Sequence, residues 1–194
     1  MHLETLAIAE TDGVAHIELN RPEKANAMNA EMWKEMKQAF DWLHTSNARV
    51  GVLSARGKHF TAGIDLSLLA AIQAELYTLN EGRCQERLKK FIVELQDAIS
   101  AAERCNKPIL CAVHGACVGG GIDLITACDM RYATEDASFS VKEVDLAIVA
   151  DVGTLQRAAR FDRRWLGART GICRGEFNGS EAARDETRKP SVCR

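Results

Sequence analysis

The sequence predicts an α/β fold. Three observations predict it: short apolar runs alternate with longer stretches of helical period, glycine-bearing loops follow two of the runs, and turn residues mark each change of period. Residues 5–9, with Leu6 and Ile8 on one face, are expected to form a strand. Val14–Leu19 is a second strand, and Thr11-Asp12-Gly13 closes a hairpin between the two. Arg21-Pro22-Glu23 ends the second strand and opens a loop. Asn29 is an N-cap for a helix through about His44, along which Met32, Met36, Ala39, Phe40 and Leu43 recur at helical spacing. Residues 50–54 read as a short buried strand, followed by a loop containing Gly57 that leads to Phe60. From about Ser67 to Cys105 the period is helical, with Leu88, Phe91, Ile92, Leu95, Ile99 and Ala102 on one stripe and a break near Asn80-Glu81-Gly82. Lys107-Pro108 stops that segment, and Ile109–Val113 is a central strand. His114-Gly115 turns the chain, and the run Gly119-Gly120-Gly121 leads into a helix from about Gly120 to Cys128. Residues 130–132 and 138–141 complete the strands. A ligand site is expected at strand ends and helix N-termini.

Composition narrows the classes of function. A chain of 194 residues supports one good-sized core rather than two. The net charge of -2 argues against a nucleic-acid partner held by bulk electrostatics. No apolar run approaches the roughly 18–20 residues that a membrane-spanning helix needs, and Met1-His2-Leu3-Glu4 does not begin a secretory signal. The seven cysteines are scattered, odd in number and without a C-x-x-C pair, which predicts free thiols in a reducing intracellular compartment. Neither H-E-x-x-H nor a Cys/His ligand spacing occurs, so no metal site is expected.

The chemistry-bearing residues fall in two glycine loops and three acids. Phe60-Thr61-Ala62-Gly63-Ile64-Asp65-Leu66 follows one strand and the glycine run follows another, so one backbone amide from each can converge on a carbonyl oxygen. Taken alone, each loop is equally a tight turn whose glycines permit close packing. The run is not G-x-G-x-x-G, and a dinucleotide fingerprint is unsupported. Asp123, two residues past the glycines, can be a helix-dipole partner in a first turn. Glu143 and Asp145 follow a short strand and can simply face solvent. Asp151 lies in the apolar stretch Ala147-Ile148-Val149-Ala150-Asp151-Val152-Gly153, which disfavours its charged form. Carboxyls in unlike environments within a water-poor pocket are a usual means of moving a proton between carbons.

Gly57-Lys58-His59-Phe60-Thr61-Ala62-Gly63-Ile64-Asp65-Leu66 and Ala112-Val113-His114-Gly115-Ala116-Cys117-Val118-Gly119-Gly120-Gly121-Ile122-Asp123-Leu124 together resemble the crotonase (enoyl-CoA hydratase/isomerase) superfamily. Val141-Lys142-Glu143-Val144-Asp145 and Ala150-Asp151-Val152-Gly153-Thr154-Leu155-Gln156-Arg157 are similar to its Δ3,5-Δ2,4-dienoyl-CoA isomerase branch. Hydratases of the superfamily carry glutamates at the positions of Asp123 and Glu143 and generally lack an acid at Asp151. The resemblance implies the ClpP/crotonase-like ββα spiral and an acyl-CoA thioester substrate, with no redox cofactor or metal. It implies that Ile64 and Gly120 supply the oxyanion-hole amides and that Ala62, Gly63, Ile64, Asp65 and Leu66 line the acyl-CoA site. Glu143 would take a proton from C2 of a 3,5-dienoyl-CoA, Asp151 would return one at C6, and Asp123 would assist by hydrogen bonding. The implied setting is β-oxidation of unsaturated fatty acids, in a mitochondrion or peroxisome/glycosome of a eukaryote or the cytoplasm of a bacterium. The rival readings are a 2-enoyl-CoA hydratase, in which Asp123 and Glu143 activate water, and a catalytically inert acyl-CoA-binding protein.

The resemblance runs from about Leu6 to Arg157, which sets an expected division into a catalytic core, 1–157, and a tail, 158–194. The tail holds eight arginines but only three residues from Leu, Ile and Val, so a poorly ordered segment is expected. Members of the superfamily continue here with helices that support trimers and hexamers, and this chain is expected to lack that region. With permissible codons, Ala158-Ala159-Arg160-Phe161-Asp162-Arg163-Arg164 reads one nucleotide on as L-P-G-L-I-G-D, similar to what the family carries at this point. A single-nucleotide frameshift, or a pseudogene-like lesion, just after Arg157 is the expectation, and sequencing of the gene tests it.

Overall fold

The computed structural model describes residues 3–161 and 176–178. Leu6–Thr11 (β1) and Val14–Leu19 (β2) form an antiparallel hairpin. Asp12 and Gly13 at its tip both take positive φ, 54° and 79°, as the tight turn matched to strand twist requires. Asn29 caps Ala30–Thr45 (α1) by accepting from the Met32 amide at 2.9 Å. Val50–Ala55 (β3) follows, then Leu66–Leu76 (α2) and Glu81–Arg104 (α3), which are separated at the expected break. Ile109–Val113 (β4), Ala116–Val118 (β5), Gly120–Ala127 (α4), Met130–Ala133 (β6) and Ser138–Ser140 (β7) come next. A 3₁₀ turn at Lys142–Leu146, the helix Thr154–Phe161 (α5) and the strand Glu176–Asn178 (β8) complete the described chain.

The strands divide between two sheets. In the larger, ordered β1-β2-β3-β4-β6, only the first pair is antiparallel. The smaller runs β5-β7-β8. Isolated bridges between Met28 and Ile64 and between Thr61 and Cys117 tie the intervening loops to this framework. The core lies where α1, α3 and α4 pack on one another and on the strands, and Phe40, Leu43, Leu53, Ile99 and Ile109 are among its fully enclosed side chains. Each such side chain contributes about 1.5–3 kcal/mol through removal from water. Every residue of α4 is buried, so Asp123 sits in a helix enclosed on all sides.

Three sequence expectations change. Residues 116–118, which the sequence assigned to no element, form β5, because three residues are too few to show a strand period. Glu143 does not face solvent: the 3₁₀ turn directs its carboxyl inward, whereas Asp145 is exposed. The expected boundary after Arg157 falls inside α5, which continues to Phe161 with Ala158 fully buried, and Glu176–Asn178 pairs antiparallel with β7. The remainder of the tail, and with it the expected lack of a trimerisation region and the expected frameshift, lies outside the described residues. Among the described residues, no helix is long and apolar enough to cross a membrane.

A buried acid not singled out in the sequence anchors the N-terminal strand. Glu35, 3% exposed, accepts from the amides of Glu4 (2.6 Å) and Thr5 (2.8 Å) and from the Thr5 hydroxyl (2.5 Å). Burial alone would raise its carboxyl, but these donors together hold it below its ordinary value of 4.5. Its stabilisation is therefore complete above that ordinary value and is lost as pH falls through the lowered folded value. Glu35→Gln should cost about 1–3 kcal/mol near neutral pH. The gap in thermal stability from wild type should narrow in acid. An equal gap at both pH values would contradict a charge-dependent anchor.

Candidate active site

The loop after β3 and the glycine run before α4 meet edge to edge. The loop is fixed by its own polar groups: the Thr61 hydroxyl donates to Asn26 O at 2.6 Å, the Gly63 amide donates to that hydroxyl at 3.1 Å, and the Met28 amide donates to Gly63 O at 2.8 Å. Asp65 caps α2, accepting from the Ser67 amide and hydroxyl, and pairs with Arg21 at 3.1 Å. The Ser67 hydroxyl, more than Arg21, holds the Asp65 carboxyl below its ordinary value. Asp65 thus belongs to the loop's scaffold, although it lines the site as expected.

Amide by amide, this stretch leaves a pair of donors unengaged. Phe60, Thr61, Ala62, Gly63 and Asp65 all donate hydrogen bonds, and Ile64 donates none among the described residues. On the facing segment Val118 donates to Thr61 O and Gly119 to Ser140 O. Gly120, the first residue of α4, has no intrahelical acceptor for its amide. Gly63 has φ +85°, and a methyl there would lie 2.6 Å from Val118 O and 3.5 Å from Gly120 N. Only glycine permits that approach, which sets Gly63, next to Ile64, against Val118 and Gly120.

Below the amides opens a cavity of about 700 Å³. All nine residues expected from the sequence line it: Ala62, Gly63, Ile64, Asp65, Leu66, Gly120, Asp123, Glu143 and Asp151. Its walls are apolar, with Trp33 from α1 and Leu88, Phe91, Ile92 and Leu95 from α3. Exposed Leu146, Ile148 and Val149 form part of the lining beyond Glu143. The apolar stripe of α3 is in part a cavity wall. Helical period marks a face as apolar without saying whether side chains or a ligand will cover it.

The three acids differ in setting. Asp123 is 1% exposed; its Oδ1 accepts from the Thr154 amide (2.6 Å) and hydroxyl (2.7 Å), while its buried Oδ2 has no hydrogen-bond partner. Burial raises its carboxyl, against the lowering effect of the Thr154 bonds. Glu143 lies beside Gly119, where a methyl would come within 3.2 Å of Oε1; its Oε2 is buried without a partner. Burial chiefly, with the nearby Asp123 and Asp151 carboxyls, pushes Glu143 up to about 7. Asp151 is half-buried and is also raised by burial, the direction expected from its apolar neighbours. Arg157 holds this segment from behind: it donates to Val152 O (3.1 Å) and Ser100 Oγ (2.8 Å) and pairs with Glu103 (3.0 Å). Sequence reasoning missed Thr154 and Arg157 as site residues, since their partners lie 31 or more residues away in α3 and α4.

Two amide donors beside an apolar cavity lined by raised carboxyls form an arrangement suited to stabilising an enolate-like oxyanion and to moving protons. The family model described as Enoyl-CoA hydratase/isomerase matches residues 9–163, and the chain belongs to that family. It is 44% identical over 182 residues to the peroxisomal Δ(3,5)-Δ(2,4)-dienoyl-CoA isomerase of Arabidopsis thaliana, covering 93% of this chain and 66% of that protein. It is 48% identical over 145 residues to the mitochondrial enzyme of the same name from Homo sapiens, covering 74% of this chain and 44% of the human protein. The chain therefore spans less than two thirds of the length of these relatives. A solved enoyl-CoA hydratase from Bacillus anthracis superposes with a TM-score of 0.79 at 26% identity, covering 92% of this chain and 66% of that one. The crotonase fold expected from the motifs is the one observed.

Proposed function

We propose that this chain isomerises 3,5-dienoyl-CoA to 2,4-dienoyl-CoA. The observation that carries the reading is the presence of three carboxyls, Asp123, Glu143 and Asp151, on one apolar cavity beneath the unengaged amides of Ile64 and Gly120. The thioester carbonyl accepts from both amides, which stabilise the negative charge that develops on its oxygen. Glu143 removes a proton from C2, which leaves a conjugated enolate with its charge on the thioester oxygen. The C3=C4 and C5=C6 bonds shift to C2=C3 and C4=C5 only as C6 takes a proton. Asp151 donates a proton to C6, and the charge on the thioester oxygen collapses. One proton leaves C2 and one arrives at C6, so the substrate keeps its composition and the thioester supplies the acidity that another enzyme would draw from a metal or redox group. Relatives named as dienoyl-CoA isomerases at 44% and 48% identity support this reading over hydration. So does the third acid, since addition of water needs only the pair Asp123 and Glu143. The relatives' names also support an organellar setting, peroxisomal or mitochondrial.

Incubation with 3,5-octadienoyl-CoA tests the proposal. A conjugated 2,4-dienoyl absorbance should appear, and its rate should rise with pH through about 7 as Glu143 loses its proton and becomes a base. Hydration of crotonyl-CoA without that absorbance would instead establish a hydratase. Binding of a CoA ester by folded protein with no turnover would establish an inert acyl-CoA-binding protein.

A further inference from the structure

Asp123 has an arrangement that assistance by hydrogen bonding does not by itself explain. Both donors from Thr154 converge on one oxygen, Oδ1, at 2.6 and 2.7 Å. The other, Oδ2, is buried and has no partner, and Asp123 is among the residues that line the cavity. No salt bridge reaches Asp123 among the described residues, because the cation of this region, Arg157, pairs with Glu103 and donates to Ser100 and Val152 O. An ionised Asp123 would leave a charge-bearing oxygen without a donor in an apolar cavity that already contains Glu143 and Asp151. A neutral acid removes the conflict. Its carbonyl oxygen takes the two Thr154 donors, and its O–H occupies the other, unpartnered oxygen.

We propose that Thr154 is a positioning residue that holds Asp123 as a neutral carboxylic acid with its proton on Oδ2, presented to the acyl cavity as a hydrogen-bond donor. Asp123 then offers a hydrogen bond to electron density on the acyl chain without losing its proton, and adds no second negative charge beside Glu143. The segment is built to hold this geometry. Asp151 and Thr154 lie three residues apart on one turn, which Arg157 grips from α5. A methyl at Gly153 would lie 1.8 Å from the Arg157 guanidinium, so glycine is needed where the two pass. The charged or titratable groups around Asp123 are Glu143 from the 3₁₀ turn, Asp151 from the following loop, Arg157 from α5 and Cys117 from β5. The direction set by burial at Asp123 agrees with the neutral form.

Infrared difference spectroscopy tests the protonation independently of turnover, and kinetics test its use; only the kinetic arm rests on the isomerase reading. At neutral pH, wild type minus Asp123→Asn should show the C=O stretch of a protonated carboxyl. Thr154→Val, which deletes the hydroxyl donor but keeps the shape and the backbone amide, should move that band to higher frequency, and Thr154→Ser should leave it in place. On 3,5-octadienoyl-CoA, Thr154→Val should lower kcat by about 10-fold or more at little-changed KM, as misplacement of a site group does, and Thr154→Ser should restore it. Absence of the band in wild type overturns the proposal, whether or not the valine variant folds. A band indifferent to Thr154→Val overturns it as well. If the wild type shows no isomerisation, the infrared result alone decides the state of Asp123, and the loss counts against the isomerase reading.

Discussion

Glu143→Gln should lower the rate of dienoyl isomerisation by about 10²–10⁴-fold, the usual contribution of a positioned general base. The substitution keeps the shape of the side chain and removes its basicity. Glu143 is suited to the role because burial has pushed it up to about 7, so that it is an effective proton acceptor and still largely ionised just above neutrality. A structural role predicts something else. The Glu143 Oε2 atom has no hydrogen-bond partner, so an amide there breaks no bond made by that oxygen and should leave thermal stability near wild type. Affinity for a saturated acyl-CoA should also persist, since the amides of Ile64 and Gly120 and the apolar walls are untouched. Residual isomerisation within a few-fold of wild type would remove Glu143 from the reaction.

Asp151→Asn should produce a comparable loss in product formation with a different signature. On the proposed reaction, Asp151 acts after Glu143, so the variant still removes the C2 proton but cannot complete transfer to C6. In D₂O it should exchange substrate hydrogen at C2 while forming little conjugated product. Glu143→Gln should do neither. The asymmetry follows from position: Glu143 sits beside Gly119, next to the amides, whereas Asp151 lies on the turn that leads into α5. Undiminished conjugated product from Asp151→Asn would exclude it as the acid. C2 exchange lost equally in both variants would contradict the assigned order.

Much of the site was legible because its chemistry is written into local sequence. Gly63 and the glycine run announce close backbone approach, and the structure shows the approach between Gly63 and Gly120. Asp151 was legible because it sits in an apolar stretch where a charge is out of place, whereas Asp123 and Glu143 stood out only through the motifs that resemble the family. What was hidden depends on partners distant in sequence. Thr154 reads as an ordinary helix-start residue until Asp123, 31 residues earlier, is placed beside it. Arg157 reads as a surface cation until Ser100 and Glu103 of α3 meet it, when it proves to be only 7% exposed. Glu35 carried a readable signal, since it falls among Met32, Met36 and Ala39 on the buried face of α1. An acid at such a position needs donors, but helical period cannot say that they come from Glu4 and Thr5. In the same way Leu88, Phe91, Ile92 and Leu95 announce an apolar face, and only the third dimension shows that part of it bounds a cavity.

The most direct measurement is turnover of 3,5-octadienoyl-CoA by this chain in D₂O, followed by ultraviolet absorbance and by the position of the isotope. The proposed reaction predicts a growing conjugated 2,4-dienoyl absorbance with one deuterium at C6, delivered by a solvent-exchanged Asp151. Folded protein that hydrates enoyl-CoA without forming the conjugated diene, or that leaves the dienoyl substrate unchanged, would contradict it.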